Sequence, residues 1–207
     1  MTELPFLYVG GDPALDLVNT VDYTDRGLEQ ERLTTYGRVI EWAEGAKVLS
    51  ARQAAALRAQ ARTRRREAEA ALRTTLRVRQ VLSRLFGALA RGDSGKEALD
   101  DFNRLLGPVL GHLRVTGPSD RLKRGQPLQL GWEQLETKVE SIVWPVLWSA
   151  ASLLVSGEAA RIRVCGGTDC GWMYVDRSRN QLRRWCQMET CGTREKSRRR
   201  YERIRAT

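Results

Sequence analysis

Four cysteines, all in the last quarter of the chain, constrain its fold most strongly. They form two pairs, Cys165-x4-Cys170 and Cys186-x4-Cys191, with fifteen residues between the pairs. Four thiolates close a tetrahedral metal site, and such a site is structural because no position remains for water. We therefore predict that the four cysteines hold one structural Zn2+.

Three other uses of four cysteines compete with zinc. Buried free thiols would not explain two pairs with the same spacing. Disulfides need an oxidising compartment, and the first residues show neither the basic segment nor the apolar stretch of an export signal. Four thiolates also suit an iron site. We favour zinc, which is four-coordinate in closed sites of this kind.

The segments around the cysteines predict a hairpin followed by a helix. Residues 161–164 and 172–175 look extended on either side of the first pair, which predicts a β-hairpin with that pair near its turn. Residues 194–205 predict a short basic helix. We expect Tyr201 and Ile204 of this helix to pack back on the hairpin, giving a treble-clef-like outline.

Positive charge is concentrated in two segments. The formal net charge of the chain is +10. Residues 176–205 contain eleven Lys/Arg against four Asp/Glu, and residues 58–84 contain nine Arg against two Glu, so the remainder is slightly acidic. This asymmetry favours nucleic acid as a partner. The second segment fits either a solvated helix face or a second phosphate-binding surface.

Basic residues between and after the cysteine pairs are the candidate contacts to duplex DNA, since arginine binds both phosphates and the guanine edge. The candidates are Arg177, Arg179, Arg183, Arg184, Arg194, Lys196, Arg198, Arg199, Arg200 and Arg203. We interpret Asp176 and Asn180 as turn and cap residues.

The segment from about 161 to 203 resembles the CGNR zinc finger. The resemblance rests on the two cysteine pairs with Gly171-Trp172, on Asp176-Arg-Ser-Arg-Asn180, on Arg183-Arg-Trp-Cys186, and on Cys191-Gly-Thr-Arg194 followed by Lys196. It implies a zinc-binding module. Thr193 stands where the family has its namesake asparagine, whose turn or cap hydrogen bond threonine must replace or lose.

The rest of the chain predicts a helical domain with small β elements. We expect a short strand at residues 6–9, helices over 34–49 and from Ser50 to about residue 90, and a further helix with a capping box at Ser94. A small hairpin or loop excursion over 113–132 and a helix from about residue 133, kinked at Pro145, complete it. The fold class is therefore α+β, mostly helical, with a helical domain at residues 1–157 (the body) and a zinc module at residues 161–205 (the finger).

The body resembles the ABATE domain in two places, Leu15-Asp-Leu-Val-Asn-Thr20 and Trp144-Pro-Val146. The resemblance implies a stress-induced transcription regulator, with the body as an effector or oligomerisation domain. Asp16 and Asn19 lie on one face of the helix predicted from Asp12-Pro13. They are the candidates for a small-molecule effector pocket, although a cap or a buried hydrogen-bonding pair explains them equally well.

Enzyme and membrane functions find little support. His112 is the one histidine, and the chain has no P-loop, H-E-x-x-H or dinucleotide fingerprint. The apolar run at 142–155 is too short to span a membrane, so we expect a cytoplasmic protein.

We predict a DNA-binding transcription regulator without catalysis, with an RNA-binding or protein-docking zinc module as the alternative. The oligomeric state stays open, a dimer included.

Overall fold

The computed structural model of the chain describes residues 4–24, 27–117, 125 and 127–205. Within them the protein is α+β and mostly helical, which confirms the predicted fold class. The α-helices are α1 (Pro13–Val18), α2 (Tyr36–Gly45), α3 (Ala51–Thr63), α4 (Arg65–Arg91), α5 (Lys96–Leu110), α6 (Trp144–Val155) and α7 (Thr193–Arg205).

The described strands form three separate antiparallel pairs. They are β1 (Val21–Thr24) with β2 (Gly27–Glu31), β3 (Leu113–Thr116) with β4 (Gln129–Trp132), and β5 (Ile162–Val164) with β6 (Met173–Val175). Short 3-10 helices at Val139–Val143 and Ala159–Arg161 precede α6 and β5, and a π-helical turn at Met188–Gly192 leads into α7.

Helix α4 is the centre of the body. It contacts α1, α2, α3 and α5, and it buries Val78, Leu82, Leu85 and Phe86 at the spacing of one helix face. Burial of a large apolar side chain stabilises a fold by about 1.5–3 kcal/mol. This face therefore fixes how the other helices of the body pack.

Side chains cap the starts of α1, α2 and α3. Asp12 caps α1 by accepting a hydrogen bond from the Ala14 amide at 2.8 Å, with Pro13 in the first turn. Ser50 caps α3, as the sequence predicts, and it also forms a complete capping box with Gln53. The predicted box at Ser94 is wrong, because Gly95 is the N-cap residue of α5 and no side chain caps that helix.

Three other local predictions are also wrong. Residues 6–9 form no strand. The helix expected from Ser50 to about residue 90 is broken at Arg64, whose backbone leaves the helical region (φ −116°, ψ 55°) and whose guanidinium donates to the distant Thr137 carbonyl at 3.3 Å. Pro145 does not kink a long helix but lies in the first turn of α6, where its missing N–H costs no hydrogen bond.

The finger packs on the body through β6 and the residue before it. Their side chains alternate between two hydrophobic cores. Met173 and Val175 lie in the main core with the body residues, whereas Trp172 and Tyr174 lie in a small core around the cysteines. This division follows from the alternation of side chains along an extended chain. No helix in the described part of the chain is long and apolar enough to cross a membrane.

Candidate metal centre and basic helix

The four cysteine sulfurs converge as the spacing predicts. All lie within 4.8 Å of one another. The Sγ atoms of Cys170 and Cys186 are 3.6 Å apart, and those of Cys186 and Cys191 are 3.7 Å apart. A tetrahedron with zinc–sulfur bonds of about 2.3 Å has edges of about 3.8 Å. The donor set and its spacing therefore fit one structural Zn2+.

Backbone geometry around the first cysteine pair allows this convergence. Gly171 has φ +65° directly after Cys170, a conformation that favours glycine. A Cβ at Gly167 would stand 3.1 Å from the Cys191 Cβ and 3.3 Å from its sulfur. The two glycines thus let the first loop turn tightly and let the second pair approach it.

The sulfur of Cys165 accepts hydrogen bonds from the backbone amides of Cys186 at 3.2 Å and Gly167 at 3.4 Å. Hydrogen bonding to the Cys170 and Cys186 thiols, together with these amides, lowers the pKa of Cys165. The same contact with Cys165 raises the pKa of Cys170 and of Cys186. All four sulfurs can therefore be ionised together only when a cation lies between them. All four cysteines are free, so the structure has no disulfide among them.

Arg183 holds the second knuckle in place rather than facing solvent. Its guanidinium donates to the carbonyls of Trp185 at 3.0 Å, Val9 at 3.1 Å, and Cys186. It also lies 4.1 Å from the centre of the Tyr174 ring, whose hydroxyl donates to the Arg183 carbonyl at 2.6 Å. The bonding capacity of this predicted DNA contact is largely used inside the protein.

Arg177 is engaged in a similar way. Its guanidinium makes a two-point ion pair with Glu158 at 2.6 and 2.8 Å and donates to the Gly11 carbonyl at 2.7 Å. Asp176, next to it, is buried and accepts from the amides of Ser178 and Arg183, as expected of a turn residue. Both residues organise the loop between the cysteine pairs.

The first turn of α7 is hydrogen-bonded to the loop between Cys165 and Cys170. Glu195 is its one buried residue. The Glu195 carboxylate accepts from the Thr168 amide at 3.0 Å and hydroxyl at 2.7 Å, and from Arg198 at 3.0 Å. These bonds, first from Arg198 and then from Thr168, lower the pKa of Glu195 to about 2. The Thr193 hydroxyl donates to the Met188 carbonyl at 3.1 Å, so threonine supplies a turn hydrogen bond at this position.

The outer part of α7, residues 199–205, is exposed along its length. Tyr201 is 71% exposed and Ile204 is 64% exposed, so the prediction that they pack back on the hairpin is wrong. The i, i+3 spacing of these two residues is typical of a packed face, but the hairpin covers just the first turn of the helix.

The ten predicted DNA contacts thus divide into groups. Arg177 and Arg183 are bound within the protein, Arg198 pairs with Glu195 and Glu202, and Arg203 donates to the Arg199 carbonyl. The others are exposed or partly exposed and have no ion pair within the described ranges. They are Arg179, Arg184, Arg194, Lys196, Arg199 and Arg200.

Asp16 and Asn19 lie at the contact between body and finger. The Asp16 Oδ1 accepts from the Gly10 amide at 2.8 Å, and Gly10 in turn accepts from the Val175 amide at 2.9 Å. Asn19 is 2% exposed and both ends of its side-chain amide bind the backbone of Met173. Their placement matches the alternative explanation, in which both are buried and hydrogen-bonded within the protein. These contacts give no support to an effector pocket.

Sequence reasoning missed two residues that matter at this site. Arg32, from the body, lines a cleft of about 300 Å3 together with Cys170, Cys186 and Cys191. No local pattern marks it, because the contact joins distant parts of the chain. Glu195 had a signal, since an acidic residue in the first turn of a basic helix is favoured by the helix dipole.

The fold and the centre define a zinc-finger protein with a helical body and a closed four-cysteine site. The chain belongs to the ABATE family, whose profile, described as "Putative stress-induced transcription regulator", matches residues 11–157. The profile of the CGNR zinc finger matches residues 161–204. Neither is an enzyme family. No curated protein matches the chain.

Proposed function

We propose that this protein is a zinc-dependent transcription regulator that binds duplex DNA through α7. The observation that carries the proposal is the character of this helix. It has seven basic residues against two acidic ones and buries a single side chain. Apart from Tyr201 and Ile204 this helix is polar, and contacts with the rest of the protein stabilise it little because they are made by its first turn. A polyanion such as duplex DNA would neutralise its charge.

The metal centre explains how such a helix can be held in a fixed direction. Zinc joins the two knuckles, Glu195 ties α7 to the first of them, and Met173 and Val175 join the hairpin to the main core. The zinc role is therefore structural, and we infer no catalysis, because four thiolates leave no position for water or substrate. We place the protein in the cytoplasm, where thiols stay reduced, with the body as its effector or oligomerisation part.

The alternative is an RNA-binding or protein-docking module. Single strands are bound by stacking of bases on aromatic side chains, and α7 offers one aromatic residue, Tyr201. This favours a duplex. Because an A-form helix presents its phosphates differently from B-DNA, duplex RNA is a necessary competitor in any test.

The test compares labelled duplex DNA, duplex RNA and single strands at one salt concentration. We expect zinc-loaded protein to bind duplex DNA most tightly, and Arg199→Gln/Arg200→Gln to weaken that binding. Arg52→Gln/Arg114→Gln, which removes the same charge from the body, is the control. Equal affinity for duplex DNA, duplex RNA and single strands, or equal effects of the two double variants, would argue against the proposal.

A further inference from the structure

The outer face of α4 carries an open cleft of about 690 Å3. Val21 of β1 and Leu76 of α4 give it an apolar part, and Arg73, Arg77 and Gln80 of α4 give it polar walls. Three more polar α4 side chains complete its lining: Arg79, Ser83 and Arg84. The cleft thus lies in the second basic segment of the sequence, which the finger does not account for.

The arginines of this cleft differ in their partners. Arg79 is buried and binds Glu31 and Thr20, and Arg84 pairs with Asp101 at 2.6 Å. These pairs neutralise the two arginines.

Arg73 and Arg77, by contrast, are exposed and have no ion pair within the described residues. They stand one helical turn apart, where like charges destabilise a helix. Several other arginines of the body are paired, such as Arg58 with Glu44 and Arg114 with Glu133. Two unneutralised charges therefore remain at this concave surface.

The cleft adjoins the base of the finger. Val21 lines it, and the next residue, Asp22, lines the second cleft, which reaches Arg194 in the first turn of α7. The Trp172 indole of the finger donates to the Val21 carbonyl at 3.2 Å and to Asp22 at 2.8 Å. The α4 cleft and the cleft that reaches the start of α7 therefore flank the same strand, β1.

We propose that the α4 cleft binds backbone phosphates of the same duplex that α7 contacts, so that the DNA site spans both body and finger. The inference rests on the proposed function. Arginine, glutamine and serine all donate to phosphate oxygens, and Arg73, Arg77, Gln80 and Ser83 supply these donors in the cleft. Contacts of this kind add affinity and fix the protein's position, and they read no sequence.

The experiment measures how the affinity of full-length, zinc-loaded Arg73→Gln/Arg77→Gln for duplex DNA depends on salt. Each phosphate contact to B-DNA contributes about −0.9 to the slope of log K against log salt. We expect the slope to become shallower by about 2, with weaker binding to every duplex sequence. Arg52→Gln/Arg114→Gln is again the control, because neither residue lines the cleft.

Three results would overturn the inference. If the cleft variant behaves like the control while Arg199→Gln/Arg200→Gln loses affinity, α7 binds DNA without the body, and the proposed function stands. If the cleft variant loses binding of inorganic pyrophosphate but keeps that of DNA, the cleft serves a free phosphate. If the unmodified protein does not bind duplex DNA at low salt, the proposed function fails and this inference fails with it.

Discussion

Asn19, the C-cap residue of α1, and Met173 of β6 are joined by two hydrogen bonds across the contact between body and finger. The side-chain Nδ2 of Asn19 donates to the Met173 carbonyl at 2.8 Å, and its Oδ1 accepts from the Met173 amide at 2.8 Å. The side-chain amide of Asn19 thus hydrogen-bonds to the backbone of β6 in the way a neighbouring strand would. It couples the helical body to the hairpin that carries two of the metal ligands.

Replacement of Asn19 by alanine leaves two buried backbone groups of Met173 without partners. Each such group costs about 1–3 kcal/mol, so for two groups we expect a loss of about 2–6 kcal/mol in the free energy of unfolding. Urea denaturation measures this loss, and hydrogen exchange should show weaker protection at residues 162–175. Asn180→Ala, at an exposed position, is the control, and an equal effect of the two variants would contradict the role of Asn19.

Asp16 gives the stability a distinct pH dependence. Burial raises the pKa of this carboxyl from 3.8 to about 6, against the lowering effect of the Gly10 amide. Because the folded pKa is above the unfolded one, its stabilising contribution is complete below about pH 3.8 and is lost as the pH rises through about 6. Relative to Asp16→Asn, the unmodified protein should lose about 1.4 kcal/mol between pH 5 and pH 7.5. Parallel pH profiles of the two proteins would show that this prediction is wrong.

Arg32 should support the metal centre from the body. It is 9% exposed, pairs with Asp22 at 2.8 Å, and keeps two buried N–H groups, Nε and Nη1, without a partner. A zinc ion with four thiolates carries two negative charges, and Arg32 shares a cleft with three of the cysteines. Outer groups of this kind change metal affinity by about 10–100-fold.

We therefore expect Arg32→Met to bind zinc about tenfold more weakly, measured as zinc lost to a competing chelator at equilibrium. Methionine keeps much of the apolar bulk beside Trp172, over which the guanidinium lies at 5.3 Å. Arg52→Met, at an exposed ion pair, provides the comparison. Identical zinc release from the two variants would mean that Arg32 does not compensate the charge of the centre.

A variant of Glu195 distinguishes whether DNA binding depends on the placement of α7 or on its charge alone. Glu195→Ala removes a negative charge from the basic helix, so charge alone predicts tighter binding of duplex DNA. It also removes the hydrogen bonds that tie α7 to Thr168. We expect binding to weaken several-fold, because the helix is no longer held in place. Tighter binding in a titration at fixed salt would show that only the charge of α7 matters.

Local signals in the sequence suffice for the metal ligands, the hairpin around them and the starts of α1 and α3. The cysteine spacing, the extended flanks of the hairpin and the caps at Asp12 and Ser50 involve residues close in the chain, and the structure confirms them. The break at Arg64 follows no glycine or proline, so no local pattern predicts it.

Long-range pairing is what the sequence does not reveal. Two polar residues three apart on a helix look alike whether they face a ligand or a backbone, so Asp16 and Asn19 suggest a pocket. In the structure Asn19 binds a residue 154 positions away. Trp172 binds β1 across a separation of 151. Contacts of this kind join body and finger into one packed unit.

Selection of random duplex DNA by the zinc-loaded protein, at near-physiological salt, tests the central claim most directly. We predict an enriched sequence motif that is lost with Arg199→Gln/Arg200→Gln, and the symmetry of the motif would show whether one copy or two bind. Retention of DNA without any motif, falling steeply with salt, would mean binding to phosphates alone and would contradict sequence-specific regulation. No retention even at low salt would contradict DNA binding altogether.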